Sequence, residues 1–230
     1  MSKDIGSSPR PFDHNTDWKS KTVAEHYDER RFTSLGGRLY DRMEKRAVAS
    51  CLDLAQKISP VSTLLDLACG TGRISEFLAS RGYRLTCGDI SEEMIGVAKK
   101  RLASGGFDQI QFLKLDIYQT GQSDETYDCV TAFRLFQHLT SEQRAKALRE
   151  MARISRRFVL VNVMHTSAYY GAVRKLRLAL GRYTTRYTST QSEVDQELNY
   201  AGLRIVRSVF TQPGFNGNRV LLMEKSEENG

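Results

Sequence analysis

Asp66, Asp89 and Asp116 each stand at the end of a short apolar run, and such runs mark buried strands. After the first come Gly70 and Gly72, then Ile74, Phe77 and Leu78 at helical spacing, then Gly82 as a stop. The local plan is strand, glycine turn, helix. Glycine puts no side chain between backbone and ligand, and a helix start aims free N–H groups at whatever binds there. In an open α/β sheet, ligands bind outside the carboxyl ends of the strands, so three acids ending three successive strands line one crevice. Asp89, about 20 residues beyond the glycine turn, can accept from both hydroxyls of a ribose. Asp116 can accept from an exocyclic amine, Asp66 suits an ammonium group, and Ile90 and Ile117 offer apolar faces to a flat base. His138 and His165, each just past a predicted strand, are the candidate proton acceptors, because imidazole titrates near neutrality.

Two ligand classes use such a turn. A dinucleotide would want glycine or alanine at the sixth place from Gly70, where Ser75 stands. It would also place its phosphates near Asp66, a like charge. A cationic ligand with an amino-acid end fits the acid better. The run Asp66-Leu67-Ala68-Cys69-Gly70-Thr71-Gly72 resembles the nucleotide-binding motif of class I S-adenosylmethionine (SAM)-dependent methyltransferases, most of all the bacterial small-molecule enzymes of the quinone-biosynthesis type. The resemblance implies that Asp66, Ala68, Gly70, Gly72, Asp89, Ile90, Asp116 and Ile117 hold SAM, with the backbone of Phe133 near its methionine part. It further implies a cover of N-terminal helices with a Tyr reaching the cofactor. His26 to Arg31 is the matching stretch, so Tyr27 and Arg31 join the expected site. Nothing resembles a metal-dependent site, and no metal ligands are assigned.

The elements that must position these residues follow from periodicity. The chain has 230 residues, enough for one α/β domain. Residues 1–16 read as a flexible arm and 17–230 as a single domain, with cover helices over 17–60 and an insertion over 164–190 as a possible substrate cap. Leu39, Met43, Ala47, Cys51, Leu54 and Ile58 share one helix face, and Gly36-Gly37 separates that helix from a weaker one before it. Strands are expected over 63–67, 83–88, 110–115, 127–133 and 158–163. Ser91 can cap one helix, and Thr140/Gln143 and Thr190/Glu193 make capping boxes for two more. Strands over 203–210 and 219–224, joined by a short loop, must be antiparallel. The expected class is a Rossmann-like open α/β sheet, mostly parallel with an antiparallel final strand and helices on both faces. The resemblance adds the strand order 3-2-1-4-5-7-6.

Composition bounds the function. At 40% hydrophobic and 27% charged residues the chain is ordinary for a soluble protein. No run approaches the ~18 apolar residues of a membrane span. The polar first residues lack the apolar core of a secretory signal, and Cys51, Cys69, Cys87 and Cys129 form no CxxC pair. A reducing cytoplasm and buried free thiols are expected. The net charge of +7 comes from one window. Between Met151 and Ser192 there is no acid, while Arg153, Arg156, Arg157, Arg174, Lys175, Arg177, Arg182 and Arg186 fall there.

Methyl transfer from SAM to a small molecule, by in-line attack of an O, N or C nucleophile on the sulfonium methyl, is the expected function. The basic window suggests an anionic or lipid-linked acceptor and peripheral membrane contact. A nucleic-acid substrate, with the chain as an RNA methyltransferase, is the alternative, followed by an NAD(P)-dependent oxidoreductase and a catalytically silent SAM-binding subunit.

Overall fold

The computed structural model describes residues 34–166, 187–211 and 217–226. The elements, in chain order, are α1 (Leu35–Ile58), β1 (Thr63–Leu67), α2 (Arg73–Ser80), β2 (Arg84–Asp89), α3 (Glu92–Ser104), β3 (Gln111–Lys114) and β4 (Tyr127–Ala132). A 3₁₀ turn (Phe136–His138), α4 (Ser141–Ile154), β5 (Ser155–Met164), α5 (Gln191–Ala201), β6 (Leu203–Phe210) and β7 (Asn218–Lys225) complete them. The seven strands form one sheet in the order β3-β2-β1-β4-β5-β7-β6. β1 to β5 pair in parallel, and β7 runs antiparallel to both β5 and β6. The expected class and strand order are both present.

Alternation along β1 divides the core between the two sheet faces. Leu65 and Leu67 point to the side covered by α4 and α5, where they meet Leu148, Met151, Val194 and Leu198. Leu64 points to the other side, against Val48, Cys51 and Leu52 of α1 and Leu78 of α2. Asp66 shares the face of Leu64. The capping signals work as expected. Ser91 Oγ accepts from Met94 N, and both Thr140/Gln143 and Thr190/Glu193 form reciprocal boxes. Gly202 ends α5 in the left-handed conformation at φ +65°. All four cysteines are buried free thiols.

The first helix departs from expectation. Gly36 and Gly37 lie in the first turn of α1, capped by Ser34, whose Oγ accepts from Gly37 N at 3.1 Å, and the weaker helix expected before them lies outside the described residues. The buried stripe is also rotated: Glu44, Ala47, Val48, Cys51, Leu52 and Ala55 face inward, while Leu39 is 52% exposed. Helix α1 packs on β6 and β7 as a layer of the core. None of its residues lines the crevice at the strand ends. The cover expected from Tyr27 and Arg31, the arm 1–16 and residues 167–186 of the expected insertion lie outside the described residues. The end of the 164–190 segment is tied to the sheet. Ser189 N donates to Met164 O (2.8 Å), Thr166 N to Ser189 O (2.9 Å), and Tyr187 N to Gln137 O (2.8 Å).

Three bases of the basic window are already used within the fold. Arg153 pairs with Glu150 and Asp124, Arg156 with Asp128, and Arg157 with Glu224. Asp128 also accepts from the backbone N–H groups of Ser62 and Thr63, so it clamps β4 to the start of β1. Although burial opposes it, the Arg156 guanidinium and these N–H donors bring its carboxyl down to about 2. The bases at 174, 175, 177, 182 and 186 lie outside the described residues.

Candidate active site

A cavity of about 250 Å³ opens at the carboxyl ends of β1 to β4. Its wall includes Asp66, Ala68 and Gly70 from the glycine turn, Asp89 and Ile90 after β2, Asp116 and Ile117 after β3, and Phe133 and His138 after β4. The sheet order puts these four strand ends side by side, so residues scattered over 73 positions meet in one hollow.

The turn is built from left-handed residues: Ala68 at φ 59°, Gly70 at 55° and Gly72 at 76°. A side chain on Gly70 would meet nothing within 4 Å, because its open side faces the cavity. Gly72 has a different task. It does not line the cavity, and a Cβ there would lie 3.0 Å from the Ala98 Cβ, so its smallness lets the turn seat on α3. At Ala68 the left-handed backbone is strained for a residue with a Cβ.

Each acid has a distinct environment. The Asp89 carboxylate is buried and anchored by backbone donors, with Oδ2 accepting from Gly70 N at 2.8 Å and Oδ1 from Ser91 N at 2.9 Å. Burial raises its pKa, and the N–H donors oppose that. Asp89 thereby locks the glycine turn to the end of β2 and holds its remaining lone pairs toward the hollow. Asp66 is wholly buried, accepting from Ser75 Oγ at 2.6 Å and Thr131 Oγ1 at 3.0 Å. Burial pushes its carboxyl up to about 6, against those two donors. The residue that breaks the dinucleotide fingerprint, Ser75, is thus the partner of the acid. Asp116 is exposed, and its Oδ1 accepts from Tyr118 N at 2.9 Å, leaving the carboxylate at the rim.

The two histidines separate. His138 is in the cavity wall. Its Nε2 lies 3.2 Å from Gln137 Nε2, which also lies 3.2 Å from the Arg134 carbonyl. An amide nitrogen only donates, so this contact occupies the His138 Nε2 lone pair. His165 lies outside the wall, past the end of β5, with Phe210 edge-on at 6.4 Å. Burial and the nearby Arg219 charge lower its pKa.

Sequence reasoning missed an ionic cluster behind the turn. Glu44, buried in α1, pairs with Arg73 at the start of α2 and with Arg134 Nε at 3.1 Å. Asp41 also binds Arg73, and the Arg134 guanidinium lies over the Tyr40 ring, 4.3 Å from its centre. Arg134 sits at φ 66°, its N–H donating to Asn162 Oδ1 at 2.5 Å. Arg73 and Arg134 both line the cavity, so α1 braces two of its walls from behind. The signal that was available is Glu44 itself, an acid spaced three and four residues before Ala47 and Val48.

Comparisons with known proteins agree with this geometry. Residues 64–157 match the family described as "Methyltransferase domain". Residues 64–157 thus carry a methyltransferase domain. It is 31% identical over 173 residues to methyltransferase tpcH of Aspergillus fumigatus, covering 70% of this chain and 60% of that protein. It is 38% identical over 76 residues to the demethylmenaquinone methyltransferase of Clavibacter sepedonicus, covering 32% of this chain and 30% of the relative. The chain therefore spans less than two thirds of either relative. The methyltransferase fold also matches the crystal structure of magnesium protoporphyrin IX methyltransferase from Synechocystis PCC 6803 with bound SAH, with a TM-score of 0.72 at 21% identity. That match covers 90% of this chain and all of the other. No helix among the described residues is long and apolar enough to cross a membrane.

Proposed function

We propose that this protein transfers the methyl group of SAM to a small-molecule acceptor that enters over the carboxyl ends of β4 and β5. The observation that carries this reading is the single hollow in which an anchored buried acid, an open glycine turn and a rim acid converge. The residues fit the cofactor: Asp89 keeps acceptor capacity for two hydroxyls, Asp116 for an amine, and Ile90 and Ile117 supply the apolar faces of a base site. When bound, SAM supplies an electrophilic methyl on a positively charged sulfur.

The chain's own share is alignment and exclusion of water. Phe133, Leu135 and Leu139 form a dry wall after β4. The ionic cluster of Glu44, Arg73 and Arg134 holds the turn and the β4 loop at a fixed spacing. His138 is placed to shape this wall and to touch an acceptor. With its Nε2 lone pair engaged by Gln137, we assign it positioning rather than proton removal. We keep His165, Tyr27 and Arg31 as proposed site residues on the acceptor and cover sides. An amine acceptor needs only to arrive unprotonated, and no base is then required.

The nucleic-acid reading is weakened by the ion pairs of Arg153, Arg156 and Arg157, which leave those bases partnered within the fold. Isothermal titration with SAM and with NADH tests the cofactor, and a labelled-methyl assay on small-molecule, lipid and RNA fractions tests the acceptor. We expect SAM to bind, NADH to give no heat, and label to appear in a small-molecule or lipid fraction. Label confined to RNA would overturn the acceptor class.

A further inference from the structure

Beyond the cofactor cavity, past the end of β5, lies a buried cation that no carboxylate among the described residues pairs. Arg219, the second residue of β7, is 5% exposed. Its Nη1 donates to Gln191 Oε1 at 2.8 Å, and its Nε and Nη2 are buried and make no hydrogen bond. No carboxylate among the described residues forms an ion pair with it. Asp195, the acid whose field it feels, is turned to Gln191, accepting from its Nε2 at 2.7 Å. Gln191 is the first residue of α5, so the guanidinium also faces the positive end of a helix dipole. A guanidinium does not deprotonate, and leaving such a charge buried and unpaired is strongly unfavourable.

His165 is its neighbour. In the β5–β7–β6 register, Arg219 pairs with Val163 and with Phe210, and His165 follows Val163 by two residues on the same sheet face. His165 Nδ1 is also buried and without a hydrogen bond. Phe210, edge-on to that ring, is 44% exposed, so the cluster borders solvent on one side. The ribbon 187–189 connects the cluster to the methyl site. Ser189 bridges to His165, and Tyr187 N donates to the carbonyl of Gln137, the residue before the cavity-lining His138.

We propose that Arg219 and His165 form a subsite for an anionic group, a carboxylate or a phosphate, carried by the methyl acceptor. The proposal rests on the methyltransferase reading above and names the acceptor's recognition handle. Two oxygens of a carboxylate or of a phosphate can take Nε–H and Nη2–H of Arg219 together, the fork for which guanidinium is suited, while His165 lies beside it. The same subsite gives a reason to bury a charge that no described carboxylate pairs.

The test uses the full chain, with inorganic phosphate and succinate as probes and chloride at matched ionic strength as the control. Melting midpoints are recorded for wild type and Arg219→Gln, and SAM affinity is measured by calorimetry for both. Wild type should show saturable stabilisation by at least one probe. Arg219→Gln should weaken that response by about tenfold or more, the worth of one to two hydrogen bonds to a charged group. Without probe the variant should melt no lower than wild type, because an unpaired buried charge has been removed, and SAM affinity should be unchanged. A response to phosphate alone or succinate alone names the group. The proposal is overturned by no saturable response in wild type, by equal responses in both proteins, or by a lower melting point of the probe-free variant, which would reveal a partner within the chain. Absence of SAM binding in wild type would instead defeat the methyltransferase reading, with the anion titration still readable.

Discussion

The two ends of the sheet's carboxyl edge treat charge in opposite ways. Over β1, β2 and β4, charged groups behind the cavity are matched: Glu44 with Arg73 and Arg134, and Asp89 with two backbone N–H donors. Over β5 and β7, no carboxylate among the described residues pairs with Arg219, which stands beside a histidine. The difference follows from what each end must do. A cofactor of constant shape is served by a rigid wall whose polar groups are preorganised. A place that must recognise an incoming group keeps its donors open until that group arrives.

Glu44→Ala is the strongest way to break the matched end. It leaves two buried guanidinium groups without their shared carboxylate, and breaking a buried pair costs about 3–5 kcal/mol. Chemical denaturation should show a loss of that order, with SAM affinity falling in the protein that remains folded. A loss below ~1 kcal/mol would mean that the cluster is solvated and does not brace the walls.

Asp89→Ala should come next. It removes the acceptor for ribose hydroxyls and the lock on Gly70 N. Hydrogen bonds to a charged group are worth about 1.5–3 kcal/mol each, so SAM should bind at least about tenfold more weakly while circular dichroism stays native. Unchanged affinity would remove Asp89 from the cofactor site.

Asp66 gives a pH signature. Its folded pKa, about 6, lies above the unfolded carboxyl value. Its contribution to stability is therefore full below the unfolded value near 3.9 and is lost as pH rises through about 6. The ligand-free protein should gain stability from this group as pH falls from 7 to 5, while SAM affinity declines across the same window as the acid protonates. Each pKa unit between the two states is worth about 1.4 kcal/mol. Asp66→Asn should flatten both profiles. A SAM affinity independent of pH in wild type would show that the ionised acid does not contribute.

The smallest effect is expected at the boundary between the two ends. His138→Ala should lower turnover by less than about tenfold, since loss of a general base costs about 10²–10⁴. A loss in the larger range, with SAM affinity unchanged and a pH profile that loses its acid limb, would restore His138 as the proton acceptor.

The local sequence determined much of this protein, because its signals are local in origin. Strand β1, the glycine turn, the Ser91 cap, both capping boxes and the Gly202 stop follow from hydrogen bonds and dihedral limits within a few residues. The three acids were legible because each sits just past an apolar run. Tertiary structure decided what depends on long-range pairing. It turned Ser75 toward Asp66, gave Gly72 to Ala98 rather than to the cavity, and rotated α1 so that Glu44 faces inward while Leu39 faces out. A helix of mixed composition presents several near-equal faces, and its orientation is chosen by the partners it meets. Here those partners are Arg73 and Arg134, 29 and 90 residues away. That no described carboxylate reaches Arg219 could not be read from the sequence at all, because pairing across the sheet is decided by which side chains the tertiary fold brings within reach.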